Sequence, residues 1–437
     1  MKYGKLFLVR KCFKMEKKTV SEQIRSKKIT KPGFMYTLLG WVWKTFMYKK
    51  YNVHVKFNVD MKKVKEPHIF ISNHASRLDY IFTGVPLYPT KYNFVAGYNE
   101  FHRSHLAGVF SLLKVIPKKN FTPDIYTIKS ISSIIKSGGN ITIFPEGMSS
   151  ISGANQPVAI GTGKFIKHHK VPVYYSVIKG GYLTSPKYNL KDRLGYIEVV
   201  FDQMFTKEEL EVLTPEEIEN IMNEKLYHDD YAWNKIHKHH YKIGDEGALH
   251  LEDLLFWCPK CGKQHTMKTE GNKIYCTECG NGATLLDTYE LVPFDDTCII
   301  PETQTKWFNM EREVIKEEIK NPLFELKEKV KLGMLPKYEL LKDQKTSEIV
   351  GEGILTLNHQ GLTYNGTKDN EEFSFFIPIS NLPTYGMCTD VSRFYSFYEG
   401  EFVEFYPEHN VVEKFFLATE EIHRLNGGRW QDFKFDK

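Results

Sequence analysis

Between Ile71 and Asp79 the chain reads Ile-Ser-Asn-His-Ala-Ser-Arg-Leu-Asp, placing an imidazole just past an apolar strand and a carboxylate five residues later. Positions i and i+5 diverge on a continuous helix, so His74 and Asp79 meet only if the chain turns between them. If they meet, Asp79 accepts the Nδ1 proton, fixes the tautomer and leaves Nε2 free as a general base, a role worth roughly 10² to 10⁴ in rate. A second apolar run, Ile141 to Phe144, delivers Glu146 into a turn bounded by Pro145 and Gly147. Ligands of open α/β sheets bind beyond the carboxyl ends of the strands, so the two motifs are expected to face one cleft. A third group, Cys258-Pro-Lys-Cys261-Gly262 with Cys276-Thr-Glu-Cys279-Gly280, has the spacing C-x2-C-x14-C-x2-C. Each pair can aim two thiolates at one ion, and the following Gly permits a tight backbone around the sulfurs. Four thiolates favour a structural zinc, and a closed four-sulfur site has no open position for chemistry.

The elements that must carry these residues are legible as a pattern. Short apolar runs at 68–72, 93–97, 140–144, 171–178 and 196–201 alternate with helical stretches, which predicts an α/β domain with a mixed sheet flanked by helices. Ile125, Ile128, Ile131, Ile134 and Ile135 form one face of a helix over 124–135, and Thr214, Pro215 and Glu217 supply the cap of another running toward Tyr227. Gly161-Thr-Gly-Lys164 is not a phosphate-binding P-loop, because Val158 and Phe165 stand where a Gly and a Ser or Thr are required. No G-x-S-x-G nucleophile elbow occurs in the sequence, and Ser76 lies two residues from His74, a poor separation for a Ser-His couple.

The order N-H-x-S-x-x-D (Asn73, His74, Ser76, Asp79) followed by F-P-E-G (Phe144 to Gly147) resembles the lysophospholipid acyltransferase family, and in particular the 1-acyl-sn-glycerol-3-phosphate acyltransferases. A second block at Gly97, Glu100, Gly108 and Ile116-Pro117-Lys118-Lys119, and a fourth at Val171-Pro172-Val173, extend the resemblance over roughly residues 34–230. The resemblance implies acyl transfer to a lysophospholipid hydroxyl, with His74 as general base, Asp79 orienting it and direct attack by the acceptor. It implies a substrate-binding set of Asn73, Ser76, Arg77, Lys118, Lys119, Pro145, Glu146 and Gly147. Acyl carrier protein, acyl-CoA or an acyl phosphate is the implied donor, and no catalytic cofactor is expected. The family commonly continues F-P-E-G-T-R-S, whereas Met148 and Ser149 occupy the Thr and Arg positions here. A guanidinium able to grip a phosphate in two-pronged fashion is therefore missing, with Lys118, Lys119, Arg77 and Lys164 as candidate replacements.

At 437 residues the chain is too long for one small module, and seven cysteines are too few for a disulfide scaffold, which points to a reducing compartment. The first apolar run, Leu6 to Val9, is too short for a secretory signal, and no uninterrupted run of 18 apolar residues predicts a spanning helix. Residues 1–31 hold 11 Lys/Arg against Glu16 and Glu22, while the whole chain carries only +5, so the basicity belongs to the tail. Phe34 to Tyr48 follows, apolar except for a stripe of Thr37, Gly40 and Lys44, with Trp41, Trp43 and the flanking Lys31, Lys49 and Lys50 suited to a headgroup boundary. Tail and helix together predict a peripheral protein on the anionic, cytosolic face of a membrane. The cysteine module has a surplus of one basic residue between Cys258 and Asp287, too weak a footprint to expect nucleic acid.

Downstream, a helix over 303–320 ends at Asn321-Pro322. Strands then follow at 353–357, 362–364, 373–379, 394–398, 402–406 and 415–417, with a closing helix at 419–425. Aromatic strands and one helix resemble a pleckstrin-homology or GRAM barrel. The expected organisation is a basic tail (1–31), a membrane-associated acyltransferase-like α/β domain (32–245), a zinc ribbon (246–290), a helical linker (291–322) and a β-rich PH-like domain (323–437).

Overall fold

The computed structural model describes residues 17–428, so positions 1–16 of the basic tail, with Cys12, lie outside the described residues. The first sheet contains β1 (Val53–Phe57), β2 (Ile69–Ser72), β3 (Tyr92–Gly97), β4 (Ile116–Lys118), β5 (Asn140–Ile143), β6 (Val173–Lys179) and β7 (Ile197–Phe205), in the order β1-β7-β6-β2-β5-β3-β4. It is mixed, as expected. β2 runs parallel to both β5 and β6, whereas β6 and β7 are antiparallel. All four β2 residues are buried, because a central parallel strand has helices on both faces. Ile69 and Ile71 join Ile131, Ile134, Ile166 and Ile218 on one face, while Phe70 joins Ile81, Phe82 and Phe201 on the other.

Thr214 caps the Pro215–Leu226 helix through a capping box, and Asp124 caps the Ile125–Lys136 helix. The isoleucine face of the latter differs from expectation, since Ile125 and Ile128 remain exposed. Thr127 turns inward in their place and donates its hydroxyl to the Pro117 carbonyl at 2.6 Å, so the buried row is Thr127, Ile131, Ile134 and Ile135.

The cysteine module is a four-stranded antiparallel sheet of β8 (Met267–Glu270), β9 (Lys273–Cys276), β10 (Gly282–Leu285) and β11 (Leu291–Pro293). The Gln304–Glu318 helix follows, capped by Thr303. The last sheet holds β12 (Glu325–Met334), β13 (Glu348–Asn358), β14 (Gly361–Lys368), β15 (Glu371–Pro378), β16 (Gly386–Met387), β17 (Phe394–Tyr398) and β18 (Glu401–Pro407). Its order is β15-β14-β13-β12-β18-β17-β16, so first and last strands pair, and the Val412–Leu425 helix closes it. The strand expected at 415–417 is helical. Val412, Phe415, Phe416, Thr419 and Ile422 recur at helical spacing and are buried along one helix, which begins seven residues before the helix expected from Thr419.

This sheet docks on the first domain. Leu341 exchanges backbone hydrogen bonds with His102 and Ser104 at 2.8 and 2.9 Å. Tyr395, Phe397 and Phe402 pack with Tyr98. The Gln304–Glu318 helix is fixed to the closing helix by buried Arg312, which donates to Glu420 and Glu421 at 2.9 and 2.7 Å. Breaking one side of such a buried ion set leaves an uncompensated charge, which is strongly destabilising.

The segment expected as a surface helix runs through Phe34–Val42, a π-helical turn Trp43–Met47 and Tyr48–Lys50. Tyr36 is buried on its inner side, while Phe34, Leu38, Trp41 and Phe46 are exposed on the outer side. The adjacent Ser104–Leu113 helix exposes Val109 and Leu112. Among the described residues no helix is long and apolar enough to cross a membrane.

Candidate active site

Because β2 and β5 are neighbours in register, with Ile71 opposite Ile143, the segments leaving their carboxyl ends emerge side by side. The chain turns at Ser76 to Leu78 and enters the Asp79–Leu87 helix with Asp79 in its first turn. This brings His74 Nδ1 to 2.8 Å from Asp79 Oδ2. Asp79 also accepts the Ser76 backbone N–H and hydroxyl, both at 3.0 Å. Burial pushes the Asp79 carboxyl above its ordinary range, while His74 and Ser76 pull it back. The His74 ring stacks on Phe144, with centroids 4.6 Å apart, and its side chain keeps 23% exposure. Nε2 has no hydrogen-bond partner among the described residues, so it is open to a substrate hydroxyl.

Glu146 is turned inward. One oxygen accepts the His74 backbone N–H and the Asn155 amide, both at 2.7 Å, and the other accepts the Gln156 N–H at 2.9 Å. Burial raises this carboxyl to about 8 against the pull of those donors. From the other side, the Ser150 N–H donates to the His74 carbonyl at 2.7 Å. The peptide of the base is thus held at both ends by the turn that follows β5. Gly147 sits at φ +86, a conformation that disfavours side chains, and a Cβ there would lie 3.2 Å from the Phe121 ring. Its carbonyl accepts from Asn120 at 3.0 Å.

Several residues expected at the substrate surface serve as frame. Asn73 exchanges two hydrogen bonds with the Ile178 backbone, at 2.9 and 2.7 Å, and ties β2 to β6. The Ser76 hydroxyl is spent on Asp79, and Pro145 is buried, with its carbonyl accepting from Ala159 at 2.8 Å. Arg77 reaches Asp192 and the Leu190 carbonyl, each at 2.6 Å. Lys118 ends β4 beside the turn. Lys119 donates to the Gly400 carbonyl of the β17–β18 turn and lies over Tyr98 and Phe397 at 5.3 and 5.6 Å. Lys164 is exposed on the Thr162–His169 helix. Sequence reasoning did not find Lys187, which is buried in a loop and reaches the Ser149 hydroxyl at 3.2 Å. Its loop carries no motif, so only folding brings it to this turn.

The four cysteines also converge. All their sulfurs lie within 4.8 Å of one another, with Cys258 to Cys279 at 3.6 Å and Cys261 to Cys276 at 3.8 Å. Tetrahedral coordination at 2.3 Å per bond separates sulfurs by about 3.8 Å, so the set fits a four-thiolate metal site. Gly262 and Gly280 take φ of +72 and +71, which is why each pair is followed by Gly. Cys298 and Cys388 stand apart from the cluster.

Residues 50–179, which contain both strand-end motifs, match the family model described as Acyltransferase. No curated protein sequence matches the chain. A solved structure to which the chain is similar is the 1-acyl-sn-glycerophosphate (LPA) acyltransferase PlsC from Thermotoga maritima. The identity is 16%, the TM-score is 0.37, and the match covers 44% of this chain and 75% of that one.

Proposed function

We propose that this chain, through the acyltransferase domain at residues 50–179, transfers an acyl group from an activated donor to the free hydroxyl of a lysophospholipid. The acceptor is 1-acyl-sn-glycerol 3-phosphate and the product phosphatidate. One observation carries the reading: an imidazole held by a buried carboxylate through Nδ1, with Nε2 open, at the carboxyl end of a central strand. His74 Nε2 removes the acceptor hydroxyl proton as the oxygen attacks the acyl carbonyl, and Asp79 stabilises the resulting imidazolium. Collapse of the tetrahedral intermediate expels the thiolate or phosphate of the donor, and the proton held on Nε2 passes to that leaving group or to solvent, which returns His74 to its neutral form. No step requires a cofactor.

The exposed aromatic edge of residues 34–47, Lys44 within it, the flanking Lys49 and Lys50, and the neighbouring Val109 and Leu112 support seating on an anionic membrane surface at the cytosolic face. The cysteine cluster is a structural zinc ribbon, and the last sheet, with first and last strands paired and a closing helix, supports a PH-like reading. Met148 and Ser149 favour a second acceptor reading, another lysolipid or a polyol phosphate.

The test is purified protein with lysophosphatidate and competing lysolipids, each offered with acyl carrier protein, coenzyme A and phosphate donors. Preferential esterification of lysophosphatidate supports the acceptor, and preference for a different lysolipid replaces it. Absence of esterification in every combination refutes the reading in favour of a non-catalytic interaction protein.

A further inference from the structure

The hydrogen bonds that hold His74 do not end at Glu146. The Glu146 oxygen that accepts the His74 N–H takes its second donor from the Asn155 amide, each at 2.7 Å. Asn155 is fixed in turn by a reciprocal pair with His228. The His228 N–H donates to Asn155 Oδ1 at 2.8 Å, and the Asn155 N–H donates to the His228 carbonyl at 3.2 Å. Because Oδ1 meets an N–H, the orientation of the amide is settled and Nδ2 faces the carboxyl. Asn155 and Glu146 are both buried, so a partner lost from this pair leaves a polar group unsatisfied.

Two residues on, Asp230 anchors the same segment. Its N–H donates to the Gly153 carbonyl at 3.0 Å. Its carboxylate accepts the Gly180 and Tyr182 N–H groups at 2.6 and 2.7 Å and lies 2.8 Å from His228 Nε2. Gly180 directly follows β6, and two residues earlier Ile178 exchanges two hydrogen bonds with the Asn73 side chain. The path from Asn73 and His74 through Glu146, Asn155 and the 228–230 segment to the end of β6 therefore returns to Asn73. Asn155 is the one side chain that joins Glu146 to the 228–230 segment among the described residues. His228 and Asp230 lie outside residues 50–179, and no motif marks Asn155. A general base works only when aimed, and a misplacement of about 1 Å at a reacting group costs about 10²-fold in rate.

We propose that Asn155 is a positioning residue for the base: clamped by His228, it sets the Glu146 oxygen that holds the His74 peptide and so aims Nε2. It acts through Glu146 and His74, and its link to rate rests on the acyl-transfer reading.

The experiment compares full-length wild type, Asn155→Leu and Asn155→Asp in lysolipid esterification and by crystallography. Asn155→Leu removes both side-chain contacts and keeps the backbone bond to His228. Its kcat is expected to fall about 10- to 100-fold with KM within about twofold of wild type, because the grip on the acceptor is untouched. Asn155→Asp keeps the acceptor for the His228 N–H but sets a second carboxyl against Glu146. Two such carboxyls share a proton at low pH, which restores a hydrogen bond between them, so the ratio of its kcat to that of wild type is expected to rise as pH falls. The other titratable groups around this position, His74 and Asp79 on one side and His228, Asp229 and Asp230 on the other, are present in both proteins, so the ratio isolates the new carboxyl. Asn155→Asp also carries the test if Asn155→Leu does not fold. A folded Asn155→Leu protein with wild-type kcat overturns the proposal, as does a loss through KM alone. A lowered kcat for Asn155→Asp whose ratio stays flat with pH marks a general packing defect and overturns it too. If wild type acylates no lysolipid, the acyl-transfer reading fails, and the crystal structures still decide the positioning claim. His74 Nε2 is expected to move by about 1 Å relative to Phe144 and Asp79 in Asn155→Leu, and an unmoved ring overturns it.

Discussion

The buried Glu146 makes stability fall with rising pH in a window that can be worked out. Its carboxyl lies at about 8 in the folded chain against an ordinary 4.5, because burial outweighs its three donors. A raised folded value means that the folded state binds the proton more tightly, so stability falls as pH rises through the interval and levels off above 8. Between about pH 6.5 and 8.5 this single group removes about 2 kcal/mol, at 1.36 kcal/mol per unit and with the folded form half ionised near 8. Buried His68 and His102 and half-buried His169 are lowered by desolvation, so their opposing effect lies mostly below this window. Glu146→Gln removes the titration. Against the protonated wild type, near pH 6.5, it costs about 1 to 3 kcal/mol, since an amide nitrogen cannot accept the Gln156 N–H. Urea unfolding of both proteins across the window separates the two effects, because only the slope against pH reports the titration. The variant is expected to be less stable at the low-pH end and to lose about 2 kcal/mol less than wild type between the two ends, so that its deficit shrinks by that amount toward pH 8.5. Identical slopes would refute the assignment of a protonated Glu146 to the folded state.

Asp79→Asn leaves the packing but removes the charge that stabilises the His74 imidazolium and replaces one acceptor oxygen by an NH2 donor, so kcat for lysolipid esterification should drop roughly 10²- to 10⁴-fold with the fold retained by circular dichroism. Trp41 and Phe46 are 53% and 66% exposed, so Trp41→Ser with Phe46→Ser should weaken sedimentation with anionic vesicles by roughly 100-fold, from apolar area worth about 25 cal/mol per Å² and partly inserted. Equal partitioning would remove that edge as the membrane contact. Elemental analysis should find one zinc per chain. Cys258→Ser or a strong chelator should lower the unfolding temperature, since a structural zinc contributes its binding energy to folding.

The residues that carry chemistry were legible because each rests on short-range rules. Asn73 to Asp79 and Phe144 to Gly147 follow apolar strands, and a strand end is readable from one chain segment. The cysteine pairs are legible for the same reason, two ligands and a glycine within five residues. What was not legible depends on partners distant in sequence. Glu146 reads like a substrate contact until Asn155 and Gln156 fold back onto it, and Asn73 until β6 arrives beside β2. Lys119 is captured by Gly400, 281 positions away, and Lys187 finds Ser149 through a loop without pattern. Phe415 to Leu417 misled because three apolar residues fit either period; the helix is visible only over Val412 to Ile422. β12 went unread because its inner row includes Glu328, whose carboxylate is buried against the His409 backbone N–H at 3.1 Å.

The most direct measurement is the rate of esterification by His74→Ala under the conditions in which wild type acylates its preferred lysolipid, with folding and vesicle binding checked in parallel. A proton route through His74 Nε2 predicts a fall in kcat of at least about 10²-fold with membrane binding and unfolding temperature unchanged. A folded His74→Ala protein that esterifies the lipid at the wild-type rate would contradict it.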